Sequence, residues 1–290
     1  MSDRRNLLRD WPNREHSRFV RACGFGWHVQ MMGDGPVLLL LHGTAASTHS
    51  FRALMPLLAQ RFTVVAPDLP GHGLTETPAS SRLSLPGMAT ALRALLQVMD
   101  IAPTVVAGHS AGAAVALRMV LDRTITPSAA IGLNAALLPL SGVPGQIFSP
   151  LAKLVAGLPL LPGLFAWRAR QQGVVEKLLQ DTGSRIDPAG VALYTKLMTD
   201  SRHTAAALSM MAQWDLKPLI ADLPRLDTPL LLVVGANDRA VPPAQSNKVA
   251  RRVRGARVHT MPGLGHLAHE EDPAGTAALI GSFASEVGVA

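Results

Sequence analysis

The sequence predicts an α/β fold built on a parallel sheet, with a helical insertion late in the chain. Three observations lead there. Strand-like and helix-like runs alternate up to about Leu133, the order that a parallel sheet with crossover connections requires. A Gly-x-Ser-x-Gly pentapeptide, Gly108-His109-Ser110-Ala111-Gly112, joins one such strand to one such helix. After a long stretch without strand character, the chain returns to an apolar strand at Pro229.

The elements follow in order. Residues 18–32, with turn residues Gly24 and Gly26, predict an N-terminal hairpin. Residues 37–41, one valine and four leucines, read as a buried strand. Residues 62–66, 104–107 and 129–133 continue the series, and 111–120 is a helix of small and aliphatic residues. Residues 134–223 break the strand pattern and read as helices and loops, which makes them a cap over the sheet. Strands resume at 229–238 and 258–262. The chain thus divides into a first core segment (1–133), a helical cap (134–223) and a second core segment (224–290).

The pentapeptide carries chemistry. A sharp strand-to-helix turn holds the Ser110 hydroxyl above the sheet edge, and the flanking glycines let the backbone pass where a Cβ would clash. A serine hydroxyl needs a base to take its proton and an acid to orient that base. On this kind of turn the partners follow in the order acid, then histidine. Asp238 ends the strand that starts at Pro229, and His266 lies in the Gly263-Leu264-Gly265 loop after the last strand. Ser110 is therefore the candidate nucleophile, His266 the base and Asp238 the acid, although an acid in Asp238's place also caps turns. His269, Glu270 and Glu271 are reserve candidates that read as loop and helix-cap residues. The backbone N–H groups of Thr44 and Ala111 are the expected oxyanion donors, with His42 holding the loop by hydrogen bonds.

These motifs together resemble the α/β-hydrolase family. The matches are His42-Gly43, Asp68-Leu69-Pro70-Gly71-His72-Gly73, the Ser110 turn, Gly235-Ala236-Asn237-Asp238 and Gly263-Leu264-Gly265-His266. The resemblance implies an α/β-hydrolase fold: a mostly parallel central sheet, helices on both faces, an inserted helical cap, and a structural role for Asp68. A narrower resemblance rests on residues 10–20 (Asp10-Trp11-Pro12-Asn13-Arg14-Glu15-His16-Ser17-Arg18-Phe19-Val20), on Trp27-His28-Val29-Gln30 and on the apolar segment after Asn134. It is to the magnesium-chelatase accessory proteins of bacteriochlorophyll synthesis in photosynthetic bacteria. That resemblance implies a role around magnesium insertion into protoporphyrin IX, with chelatase subunits as partners. The sequence has no Gly-x-x-x-x-Gly-Lys-[Ser/Thr] phosphate loop, so any ATP would be bound by another subunit.

Composition narrows the classes further. With 48% hydrophobic residues, 290 residues suffice for one large core. The single cysteine, Cys23, excludes an internal disulfide, shows no zinc pattern and suits a reducing compartment. The charged N-terminus lacks the apolar core of a secretory signal, and the expectation is a cytoplasmic protein. The net charge of +7 suits an anionic membrane surface or a carboxylate-bearing substrate, or is scattered over a solvated face. Arg251, Arg252, Arg254 and Arg257 form the densest group, on a helix and turn away from Ser110. No recognition motif or aromatic stacking series accompanies the charge, so nucleic acid is not an expected partner. No cofactor or metal site is predicted.

The cap is apolar. Residues 147–167 contain one charge and approach the roughly 20 residues that span a bilayer. Pro150, Pro159 and Pro162 interrupt the run and disfavour a spanning helix. Three readings stay open: packing on the sheet domain, lining for a large flat apolar substrate such as a porphyrin, or shallow membrane contact. Arg168 and Arg170 follow directly and either pair with carboxylates or end a helix at the surface. Met198, Met210 and Met211 with Trp214 suit a broad pocket or core filling. The candidates for substrate contact are His109, Phe148, Trp167, Arg168 and Met211, and His203 is a candidate axial ligand to a porphyrin metal. Three functions fit: a serine hydrolase of an ester or acyl bond, acting on an apolar or tetrapyrrole substrate; a non-catalytic porphyrin carrier on a hydrolase fold; and a general small-ester, lactone or C–C bond hydrolase.

Overall fold

The computed structural model describes residues 9–139 and 161–289. The expected N-terminal hairpin is β1 (Ser17–Ala22) paired antiparallel with β2 (Phe25–Met32). Its two-residue turn, Cys23-Gly24, has φ of 58° and 88°. Positive φ at both turn positions matches the right-handed twist of the strands, and glycine takes the second at no steric cost.

The other strands are β3 (Val37–Leu41), β4 (Thr63–Pro67), β5 (Val105–His109), β6 (Ala129–Leu133), β7 (Leu230–Gly235) and β8 (Arg257–Met261). The described residues form an eight-stranded sheet in the order β1-β2-β4-β3-β5-β6-β7-β8, parallel from β4 to β8. From β3 the chain crosses to β4 on one side, then returns to β5 on the other. Ligand sites of open α/β sheets lie at this reversal, beyond the carboxyl ends of the strands. The register pairs Leu41 of β3 with Gly108 of β5, so the loops after both strands open side by side.

Strand periodicity divides the core. Leu39, Leu41, Val65 and Val106 face one layer, packed by α2 (Leu85–Val98) and α3 (Ala111–Leu121). Leu38, Leu40, Val64, Val105 and Ala107 face the other, packed by α1 (Leu54–Leu58) and by the last helix, Pro273–Glu286. Both faces of the central strands are covered, so β3 to β7 read as largely apolar runs.

Between β6 and β7 the described residues form α4 (Leu161–Ala169), α5 (Val174–Asp181), α6 (Pro188–Met198), α7 (Ser201–Ala212) and α8 (Lys217–Asp222). Asp187 accepts from Gly190 N–H ahead of Pro188, and Asp200 accepts from Arg202 N–H, so α6 and α7 start at side-chain caps. The apolar side of this insertion meets Ala46 and Leu267 of the sheet domain. Helix α4 carries Trp167 and Arg168, two of the candidates for substrate contact. It buries Ala166 and Ala169, and its larger apolar residues Leu164, Phe165 and Trp167 are 53–54% exposed. Among the described residues no helix is long and apolar enough to cross a membrane. Phe148 lies outside the described residues.

Candidate active site

Ser110 is the single residue between β5 and α3, with φ 51° and ψ −118°. A non-glycine residue there costs about 1–3 kcal/mol and persists only when its surroundings enforce it. The neighbouring glycines do so. A Cβ on Gly112 would lie 2.2 Å from the Leu41 carbonyl oxygen, and one on Gly108 would lie 2.4 Å from the Ala113 nitrogen. Helix α3 therefore packs directly on the sheet, with Ser110 lifted into the bend.

His266 and Asp238 meet across the ends of β8 and β7. His266 Nδ1–H donates to Asp238 Oδ2 at 2.9 Å, which leaves Nε2 as the basic nitrogen. The loop needs its glycines, since a Cβ on Gly235 would come 2.1 Å from the Gly265 carbonyl. Asp238 is fully satisfied: Oδ1 accepts from Ala240 and Val241 N–H at 2.9 and 2.8 Å, and Oδ2 also accepts from Asn134 Nδ2 at 2.8 Å. Asn134 has φ 46° just after β6, and sequence reasoning missed it. Asparagine tolerates the left-handed region, so its place after a strand was the available signal.

Ser110 and His266 line one cavity of about 690 Å³, with Thr44, Ala111, His109 and Met211. Among the described residues no hydrogen bond joins Ser110 Oγ to His266 Nε2; such bonds tighten when substrate is bound. Ala111 opens α3, so its N–H is a first-turn donor without an intrahelical acceptor. A more polar cleft of about 800 Å³ also touches Asp238, but neither Ser110 nor His266 lines it. The candidate triad therefore faces the first cavity.

The insertion supplies the other wall. Leu178, Leu179, Met198, Trp214 and Leu216 are apolar, and Lys217 is a cation that sequence reasoning did not single out. Among the described residues Lys217 has no carboxylate ion-pair partner. Trp167 and Arg168 are exposed and do not line this cavity, because α4 turns its alanines inward. Among the described residues no group of three or more histidine, cysteine or acidic side chains is placed to hold a metal.

The buried histidines are positioning groups. His109 Nε2–H donates to the His266 carbonyl at 2.9 Å, and its ring lies 4.8 Å from the His266 ring. Burial, then the charges of His269 and His266, push its pKa well down. His42 Nδ1–H donates to the Gly43 carbonyl and Nε2 accepts from Leu69 N–H, both at 2.8 Å. Burial pushes His42 down to about 4. His203 is no free ligand: Nδ1 accepts from Gly73 N–H and Nε2–H donates to the Ala45 carbonyl, both at 3.1 Å. Asp68 accepts from Thr48 and Leu74 N–H and from His28 at 2.7–2.8 Å. Burial alone would raise its carboxyl, but the charge and hydrogen bond of His28 outweigh it and hold Asp68 well below the usual range.

The reserve candidates tie the insertion to the His266 loop. Glu270 accepts from Ser50 Oγ at 2.6 Å and Tyr194 at 2.8 Å and pairs with Arg52. Burial raises its pKa despite these partners. His269 donates to Ser50 Oγ at 2.9 Å, and burial pushes it down to about 3. Glu271 accepts from Gly265 and Arg185 N–H, both at 2.8 Å.

A sheet reversal with a serine elbow on one side and a histidine–carboxylate pair on the other defines a class. The family model described as "Alpha/beta hydrolase family" matches residues 38–279, and the chain belongs to that family. Within it, the chain is 42% identical over 280 residues to the Magnesium-chelatase 30 kDa subunit of Rhodobacter capsulatus, covering 96% of this chain and 98% of that one. It is 28% identical over 261 residues to the Pyrrolizixenacetamide deacetylase of Xenorhabdus hominickii, covering 87% and 91%. Among solved structures, a putative lipase from Acinetobacter baumannii superposes with a TM-score of 0.80 at 20% identity, covering 99% and 97%; that likeness is one of fold.

Proposed function

We propose that this protein is a serine hydrolase for an apolar acyl substrate, acting as an accessory component of magnesium insertion into a tetrapyrrole. The observation that carries the chemistry is the 2.9 Å bond from His266 Nδ1 to Asp238, with His266 and the strained Ser110 on one cavity. Ser110 Oγ attacks a carbonyl carbon and passes its proton to His266 Nε2. Asp238 stabilises the imidazolium. The N–H groups of Thr44 and Ala111 hold the developing oxyanion. His266 then gives the proton to the leaving group, and water repeats the sequence on the acyl enzyme.

The cavity supports the substrate class. Its walls are aliphatic, thioether and indole surface, with Lys217 as the cation for an anionic end. A porphyrin with propionate side chains has both features. The pathway role is supported by the 42% identity to the Rhodobacter subunit. That protein's name describes a chelatase component and no bond cleavage, which favours a second reading: a porphyrin carrier with an idle triad. The lone cysteine fits a cytoplasmic site of action. Peripheral contact with a membrane is supported by exposed Leu164, Phe165 and Trp167 beside Arg168 and Arg170.

Reaction with a fluorophosphonate probe, with and without excess protoporphyrin IX, tests the proposal. Labelling of Ser110 that porphyrin blocks is the expected result. Labelling that porphyrin leaves unchanged keeps the hydrolase and points to a general small-ester, lactone or C–C substrate. No labelling, with porphyrin bound in a fluorescence titration, would establish the carrier.

A further inference from the structure

We infer that His203, on the inserted helix α7, is a positioning residue for the oxyanion loop, so that the insertion must be seated for the nucleophile to react. The inference rests on the serine-hydrolase reading and adds to it a residue outside the triad.

The Thr44 N–H belongs to the same rigid unit as the Gly43 carbonyl, and in a trans peptide the two point in opposite directions. The Gly43 carbonyl accepts from His42 Nδ1 at 2.8 Å and from Ala46 N–H at 3.2 Å. Those bonds fix one end of the loop from the sheet side. The other end is Ala45, at φ 60°, a left-handed conformation that alanine does not adopt without support. Its carbonyl accepts from His203 Nε2–H at 3.1 Å. Thr44 is thus flanked by two histidine clamps, one from the sheet domain and one from the insertion.

The second clamp is itself held. His203 Nδ1 accepts from Gly73 N–H at 3.1 Å, which places the ring proton on Nε2, where Ala45 receives it. The ring is 3% exposed and meets His72 edge-on, with centroids 5.2 Å apart. Burial lowers its pKa and keeps it neutral. The rest of that helix face points the same way. Buried His203, Ala206, Ala207 and Met210 recur at the i, i+3, i+4, i+7 spacing of one stripe. Met210 Sδ accepts a weak bond from Thr44 Oγ1 at 3.7 Å. A Cβ on Gly71 would lie 2.5 Å from Ala206 Cβ, so the helix sits directly on the turn that holds Gly73. Lifting α7 would remove the support of Ala45 and of the Thr44 side chain together.

The test compares wild type, His203→Phe and His203→Gln for turnover of p-nitrophenyl butyrate and for the rate of fluorophosphonate labelling at Ser110. Losing a whole oxyanion donor costs about 10²–10³ in kcat, and a misaligned donor costs less. The expected result is a fall in kcat and labelling rate of roughly 10-fold for His203→Phe, with KM changed less than about 2-fold. Gln keeps a donor and an acceptor on one amide and recovers most of the loss. Unchanged kcat in His203→Phe overturns the inference, as does an equal loss in both variants that tracks melting temperature. A wild type that never labels overturns the hydrolase reading and this inference with it. Nitrogen-15 NMR of the wild type checks the clamp without any variant: Nε2 is expected to carry the proton, and a protonated Nδ1 would sink it.

Discussion

Asn134 and His266 share one oxygen: the amide of the first and Nδ1–H of the second both donate to Asp238 Oδ2, at 2.8 and 2.9 Å. The Asn134 amide also donates to the Gly265 carbonyl at 3.1 Å, next to His266 in the chain. It therefore orients both Asp238, the proposed acid, and the loop that carries His266, the proposed base. Asn134→Gly removes the amide while suiting the left-handed backbone. The expected outcome is a fall in kcat of about 10-fold with KM unchanged, the size of one hydrogen bond to a charged group. Steady-state kinetics decides it, and an unchanged kcat would remove Asn134 from the catalytic network.

Ser110 trades stability for position. Ser110→Ala and Ser110→Gly are both expected to lose about 10⁴-fold or more in turnover. They should differ in stability, because only glycine takes φ 51° and ψ −118° without strain. Ser110→Gly should unfold at higher urea than Ser110→Ala, by about 1 kcal/mol. Equal midpoints would mean that the bend stores no strain.

Lys217 is expected to set a preference between substrates of equal length. A p-nitrophenyl ester ending in a carboxylate should show a lower KM than its methyl-ended counterpart. Lys217→Met should abolish that preference, changing KM by up to about 5-fold with kcat held, since an exposed pair contributes at most about 1 kcal/mol. Asp215 also lines the cavity and accepts Lys217 N–H at 3.0 Å. Asp215→Asn should strengthen the preference. Equal KM values for the two esters in wild type would end the anionic-substrate reading.

The buried histidines are expected to make the protein acid-sensitive. His42 falls from 6.5 to about 4 and His269 to about 3, both through burial. Unfolding lets them take protons that the folded state refuses, so their neutral burial is harmless above 6.5 and destabilising below it. His42 alone should cost about 3 kcal/mol once the pH reaches its folded value. Asp68, held low by His28, acts in the same direction at still lower pH, because its stabilisation fades as the carboxylate protonates. Glu270, raised by burial, acts in the opposite sense. Melting temperature should be level above pH 7 and fall steadily below pH 6.5. A level profile down to pH 4.5 would contradict the burial of these rings.

The sequence by itself determined the sheet and the places from which Ser110, Asp238 and His266 project. Those signals are local: unbroken apolar strands, and glycines where one backbone must touch another. Gly112 against the Leu41 carbonyl and Gly235 against Gly265 are such contacts, legible as glycines before any partner was known. What the helices of the insertion present to the site was decided only by the tertiary structure. Hydrophobicity left the run that ends at Trp167 free to face the sheet, a substrate or a membrane, and packing through Ala166 and Ala169 leaves Trp167 half exposed. His203 read as a candidate axial ligand, yet its two nitrogens are taken by Gly73 and Ala45, which lie 130 and 158 residues away. Asn134, Lys217 and the partners of Glu270 stayed hidden for the same reason. A polar side chain's role depends on which donor or acceptor packing brings within 3 Å, and no periodicity in the chain encodes that distance.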